Sequence, residues 1–205
     1  MIALIDYGAG NLTSVRKAFA AIGASVFVPA SPADVEPAAA IVVPGVGHFA
    51  ATRALVGEWT DAILARVGEG RPLLGICLGM QWLFEGSDEA PDCPGLGVLA
   101  GRCFRLGRHD GATPVKVPHV GWNSIEMRRE SSMAEGLRTG AQMYFTHSFA
   151  APVTSDTVAV TEHGEPFAAV VQHGQVAGVQ FHPEKSGEAG LRILRNFAAL
   201  AGIVG

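Results

Sequence analysis

Two short stretches of the chain hold the residues able to do covalent chemistry. Gly75-Ile76-Cys77-Leu78-Gly79 sets a thiol between two glycines. Leu73, Leu74 and Ile76 form an apolar run that predicts a buried strand, and Met80 to Glu85 predicts a helix after it. A strand that turns sharply into a helix leaves one residue on a strained apex. Its neighbours must lack side chains there, because Cβ atoms would collide. This is the nucleophile-elbow pattern with sulfur in place of oxygen, and it puts the thiol where exposed N–H groups of the following helix favour an anion.

A nucleophilic thiol needs a base and a group that orients the base. Phe181-His182-Pro183-Glu184 supplies both. Val176, Val179 and Phe181 predict a buried strand ending at His182, and Pro183 restricts the local backbone. Glu184 can accept a hydrogen bond from the far ring nitrogen, selecting one tautomer and stabilising imidazolium. Lowering a thiol pKa from ~8.5 to ~6.5 takes about 2.7 kcal/mol of preference for thiolate. A helix terminus supplies ~0.3–1 kcal/mol and ~2 kcal/mol at best. A nearby His182 cation must therefore supply much of the rest. The expected set is Cys77, His182 and Glu184.

A tetrahedral intermediate also needs N–H donors. The Leu78 amide, next after the nucleophile, is one. Pro44-Gly45-Val46-Gly47 offers the second, from Val46 or Gly47 after a peptide rotation. That loop lacks the pattern of a dinucleotide or phosphate-binding loop. His48, His109, His119, His147, His163 and His173 show no metal-ligand spacing, so neither metal nor cofactor is expected. Cys93 and Cys103 have no supporting pattern and read as incidental core or loop residues. Trp122 reads as core on composition alone.

These groups need a scaffold, and 205 residues suffice for one domain, 1–205, with a full core. The first half alternates strand and helix patterns: strands at 1–5, 25–28 and 39–43 (ended by Pro44), helices at 12–22, capped by Asn11, and at 58–69. The second half is strand-rich, at 98–106, 120–127, 142–148, 157–161, 168–172 and 176–181, and closes with a helix at 188–200. His173-Gly174 marks a turn between the last two strands. The expected fold is α/β: a mostly parallel central sheet flanked by helices, with an antiparallel β extension and reactive groups at the carboxyl ends of the parallel strands.

A net charge of -4 with no basic block argues against nucleic acid. No apolar stretch is long enough to span a bilayer. The chain opens directly into Ile2-Ala3-Leu4-Ile5 without a secretory pattern, and three cysteines fit a reducing compartment, so a cytoplasmic location is expected.

The two reactive stretches, read together as Gly75-Ile76-Cys77-Leu78-Gly79-Met80-Gln81 and His182-Pro183-Glu184, resemble the class I (triad) glutamine amidotransferases, whose core is flavodoxin-like. The resemblance spans essentially the whole chain. Asp6-Tyr7-Gly8-Ala9-Gly10-Asn11, Pro44-Gly45-Val46-Gly47-His48-Phe49, Pro118-His119-Val120-Gly121-Trp122-Asn123, Tyr144-Phe145-Thr146-His147-Ser148-Phe149 and His182-Pro183-Glu184-Lys185-Ser186 narrow it to the glutaminase-subunit family of imidazole glycerol phosphate synthase. Phe149 stands where that family commonly has a tyrosine; a backbone contact survives the exchange.

The resemblance implies hydrolysis of L-glutamine to glutamate and ammonia through a glutamyl thioester on Cys77. It implies glutamine binding by Gln81 and Glu89, with Glu89 on the α-ammonium, and by backbone groups of Gly47, Ser148 and Phe149. It implies a heterodimer with a separate (β/α)8-barrel cyclase, contacted through Asn11, Trp122, Asn123 and Lys185, that receives the ammonia through a shielded path. There the ammonia yields imidazole glycerol phosphate and an aminoimidazole carboxamide ribotide, in histidine biosynthesis. Rival readings are a glutaminase serving a different synthase, a thiol peptidase or other thiol hydrolase of related fold, and a non-catalytic module.

Overall fold

The computed structural model describes residues 1–107 and 115–203; His109 lies outside the described residues. The strands are β1 (Ile2–Leu4), β2 (Val26–Phe27), β3 (Ala40–Gly45), β4 (Leu73–Cys77), β5 (Gly86–Ser87), β6 (Arg102–Arg105), β7 (His119–Ser124), β8 (Glu126–Met127), β9 (Gln142–His147), β10 (Phe149–Ala150), β11 (Thr157–Glu162), β12 (Pro166–His173) and β13 (Val176–Val179). The α-helices are α1 (Leu12–Ala21), α2 (Glu58–Gly68), α3 (Leu78–Trp82) and α4 (Gly187–Leu200).

Among the described residues the largest sheet runs β2-β1-β3-β4-β13-β12-β11-β8. The strands from β2 to β13 pair in parallel, and β12, β11 and β8 add on antiparallel. The parallel part has the doubly wound order in which ligands bind beyond the carboxyl ends of the strands. Parallel strands covered on both faces are apolar throughout, and here alternate residues feed two cores. Ile2, Leu4, Val42, Leu74 and Ile76 pack with α1 and α4 through Phe19, Leu194 and Phe197. Ala3, Ile5, Ile41, Val43 and Leu73 pack with α2 and the segment after Cys77 through Ile63, Met80 and Leu83. Asn11 caps α1, its Oδ1 accepting from the Ser14 amide at 3.3 Å.

Several element boundaries differ from those predicted. Pro44 does not end β3, which continues to Gly45. The Ile41 amide donates to Pro72 on the β4 side, so by alternation the Pro44 nitrogen faces β1. There β1 has already ended at Leu4, and no donor is needed. The segment predicted at 120–127 is two strands. β7 pairs with β9, whereas β8 leaves at the buried Ile125 to pair with β11. The helix after Cys77 starts at Leu78, without an intervening loop, and is only five residues long. A 3₁₀ segment at Phe49–Leu55 has no predicted counterpart. Trp122 is no core residue: it lies 57% exposed on the outer face of β7.

Candidate active site

Cys77 is the last residue of β4 and the cap of α3, with φ 54° and ψ −107°. It is the one non-glycine residue with positive φ among those described. Such a conformation costs of order 1–3 kcal/mol and persists only where the surroundings enforce it. Gly79 explains the enforcement. A Cβ there would collide with the Val43 carbonyl oxygen, so α3 can press against β3 only without a side chain. The shortness of α3 weakens any dipole effect on the sulfur, so the neighbouring side chains carry more of the electrostatics.

Gln180, His182 and Glu184 follow β13, the next strand in the sheet. His182 Nδ1 and Glu184 Oε1 are 2.8 Å apart, with both side chains almost wholly buried. Cys77 stands beside His182, and the ring's Nε2 has no other partner. Burial opposes the charged imidazolium. The Cys77 sulfur and the Glu184 carboxylate outweigh it and push the His182 pKa up to about 10. The backbone of His182 is tied to β9: its amide donates to the Tyr144 carbonyl at 2.9 Å. Ser186 closes the tie, donating to the His182 carbonyl at 2.6 Å and accepting from the Tyr144 amide at 3.0 Å.

Cys77 opens on a cavity of about 220 Å³ lined by Gly47, Leu78, Gln81, Glu89, Pro118, Thr146, His147, Ser148 and Phe149. The positions expected to hold glutamine, Gly47, Gln81, Glu89, Ser148 and Phe149, thus meet at one wall-to-wall space with the sulfur. Glu89 Oε2 accepts from the Phe49 amide at 2.7 Å, which holds the carboxylate in place. Gln81 Nε2 donates to the Phe149 carbonyl at 2.7 Å and to Gln180 Oε1 at 3.2 Å. His182 and Glu184 lie behind the cysteine and line a smaller void with Pro44, Gly45 and Val46. Of the expected oxyanion donors, Leu78 lines the pocket, but the Val46 amide donates to the Ala9 carbonyl at 2.6 Å.

Of the four residues expected at a partner surface, three lie at the surface. Asn11 and Lys185 are exposed, Lys185 Nζ lying 5.6 Å above the Tyr144 ring, and Trp122 meets Tyr144 edge to face at 6.1 Å. The Asn123 amide instead turns inward, to the Glu162 carbonyl at 3.0 Å and to His119 Nε2 at 3.2 Å.

Sequence reasoning missed Gln180, fully buried, whose Nε2 lies 3.6 Å from Cys77 Sγ. A glutamine directly after the apolar run of β13 was its only signal. It missed Tyr7, whose hydroxyl packs against Gly45 and whose pKa is pushed up by burial and then by Cys77. It also missed His147, which lines the pocket. Burial, together with the neighbouring His119, His163 and His182, outweighs its bond to the Phe149 carbonyl and lowers its pKa to about 3. All three cysteines are free, and Cys93 and Cys103 are buried in the cores. Among the described residues no group of three His, Cys, Asp or Glu side chains could hold a metal ion, and no helix is long and apolar enough to cross a membrane.

The family model for glutamine amidotransferase class-I matches residues 3–201. An imidazole glycerol phosphate synthase subunit HisH from Thermococcus kodakarensis is 44% identical over 206 residues, covering 98% of this chain and 100% of the relative. The subunit of the same name from Deinococcus radiodurans is 44% identical over 200 residues, covering 96% and 92%. A crystal structure of a glutamine amidotransferase superposes with a TM-score of 0.76 over 99% of this chain and 100% of the other, at 23% identity. With a strained cysteine backed by a histidine–glutamate pair on a doubly wound sheet, the chain belongs to the class I glutamine amidotransferase family, among the imidazole glycerol phosphate synthase HisH subunits.

Proposed function

We propose that residues 1–205 form a single glutaminase domain that hydrolyses L-glutamine and passes ammonia to a cyclase subunit, making imidazole glycerol phosphate and aminoimidazole carboxamide ribotide in histidine biosynthesis. The carrying observation is that Cys77 faces a small polar pocket while the His182–Glu184 pair lies behind it. Cys77 Sγ attacks the side-chain amide carbon, its proton held on His182. His182 then gives that proton to the nitrogen as the C–N bond breaks, releasing ammonia and leaving a glutamyl thioester. Water, deprotonated by His182, cleaves the thioester to glutamate. Glu184 keeps the imidazole oriented and favours its cationic form. Gln81, Glu89 and the backbone of Gly47, Ser148 and Phe149 hold the substrate.

The exposed Trp122 and Val120, flanked by Tyr144 and Lys185, support a protein interface on the β7–β9 ribbon, since large apolar groups are otherwise withdrawn from water. A (β/α)8-barrel cyclase seated there, in a heterodimer, would receive ammonia before bulk water converts it to non-nucleophilic ammonium. The reaction needs no cofactor, and a cytoplasmic location suits the free thiols.

With the Val46 amide committed to Ala9, the second donor has to come from a rotation at the Val46–Gly47 peptide, and without it the lone chain should be nearly inactive. A missing donor costs on the order of 10²–10³ in turnover, which sets the expected activation by the cyclase and its ligand. Glutamate release by the purified chain, measured with and without the cyclase, tests this. Full turnover by the chain alone would count against it.

A further inference from the structure

Asn123, His119 and His147 have no part in the hydrolysis just described, yet they lie in one line from the outer ribbon to the pocket wall. Asn123 and His119 are on β7 and His147 is on β9. His119 Nδ1 is 3.1 Å from His147 Nε2, and His147 Nδ1 is 2.9 Å from the Phe149 carbonyl oxygen. Both imidazoles are buried.

Chemistry assigns every proton along this line. A carbonyl oxygen only accepts, so His147 Nδ1 carries a hydrogen. Burial and the surrounding imidazoles keep His147 neutral, so its Nε2 bears a lone pair and accepts from His119 Nδ1–H. His119 is also neutral, and its Nε2 accepts from Asn123. The Asn123 amide cannot turn round, because its Nδ2 also donates to the Glu162 carbonyl while its Oδ1 accepts from the Ser124 amide at 2.8 Å.

We propose that Asn123, His119 and His147 are positioning residues, a hydrogen-bond chain of single polarity that fixes the Phe149 carbonyl, and through it Gln81, at the wall of the glutamine pocket. The inference rests on reading that pocket as the glutamine site. The Phe149 oxygen has two lone pairs; His147 takes one and Gln81 the other. The line continues from Gln81 through Gln180 to within 3.6 Å of Cys77 Sγ. Without the His147 hydrogen, the Phe149 carbonyl keeps Gln81 as its remaining side-chain donor, and although β10 stays paired with β6, the carbonyl and Gln81 lose their register with the sulfur. Both ring nitrogens of His147 are engaged within the protein, so the effect reaches substrate through the wall. It appears in KM more than in kcat.

¹⁵N NMR of the full chain at neutral pH tests the polarity directly. His119 and His147 are expected as Nδ1–H tautomers; an Nε2–H or doubly protonated His147 overturns the proposal. Asn123→Asp sets a carboxylate against His119 Nε2, which should then carry a hydrogen while His147 keeps its Nδ1–H; a His119 Nε2 that stays unprotonated overturns the proposal equally. In the glutaminase–cyclase complex, His147→Phe should raise the glutamine KM about tenfold with kcat within about threefold, the scale of one lost hydrogen bond. His147→Asn, which keeps a donor near the Nδ1 position, should restore most of the loss. An unchanged KM, or a loss confined to kcat, refutes the assignment. Should His147→Phe not fold, Asn123→Asp carries the test. A complex that releases no glutamate sinks the glutaminase reading instead, while the tautomers still decide the polarity.

Discussion

His182 and His147 are both buried near the same cysteine, yet the protein drives them in opposite directions. Burial disfavours charge on each. At His182 a sulfur and a carboxylate overcome it, and the imidazole holds a proton through the neutral range. At His147 the only polar compensation is a carbonyl dipole, other imidazoles surround it, and it stays neutral. His119 behaves like His147: burial and then His163 lower it to about 4. A buried histidine is thus a proton carrier only where an anion accompanies it; without one it is a directional hydrogen-bond link.

Removing the sulfur and the carboxylate one at a time should erase the contrast. Cys77→Ala should reduce glutamine-dependent synthesis by the complex on the order of 10⁴-fold or more, with ammonium-dependent synthesis retained. Assaying both nitrogen sources checks this, and loss of both would give the chain another essential role. The same change should bring the His182 titration, followed by NMR, down toward its ordinary range. Glu184→Gln keeps the shape and deletes the charge; turnover should fall about 10²–10³-fold and the His182 titration should again move down. A His182 titration unmoved by either change would break the comparison.

The smallest effect is on stability. His182 has a raised pKa, so its contribution is full below about 6.5 and lost as pH rises toward about 10. His119 and His147 have lowered pKa values, so theirs is full above about 6.5 and lost as pH falls toward about 4 and about 3. The three together place a maximum near about pH 6.5. Denaturant unfolding on either side of that value checks it, and a steady rise from acid to alkaline pH would contradict it.

Cys77 and His182 were legible as candidates because each is announced by its immediate neighbours. Glycines bracket Cys77, and a proline and a glutamate follow His182. The strand–helix alternation likewise declared the parallel sheet. Pro44 misled because whether a strand tolerates proline depends on where its neighbour stops, and β1 stops at Leu4. Gln180 and His147 were silent because their partners, Cys77 and His119, lie far away in sequence, and only the folded sheet and ribbon bring them together. Trp122 misled for a related reason: its residue type fits an interior, and only pairing with β9 reveals which face of β7 it occupies.

One hydroxyl makes the rim and the His182 imidazole mechanically inseparable. Ser186 is clasped between the main chains of Tyr144 and His182, and the Tyr144 carbonyl takes the His182 amide in return. Tyr144 also carries the ring against which Trp122 and Lys185 rest on the outside. Any push delivered to that outer surface has no slack to dissipate into. It arrives as a displacement of His182 itself.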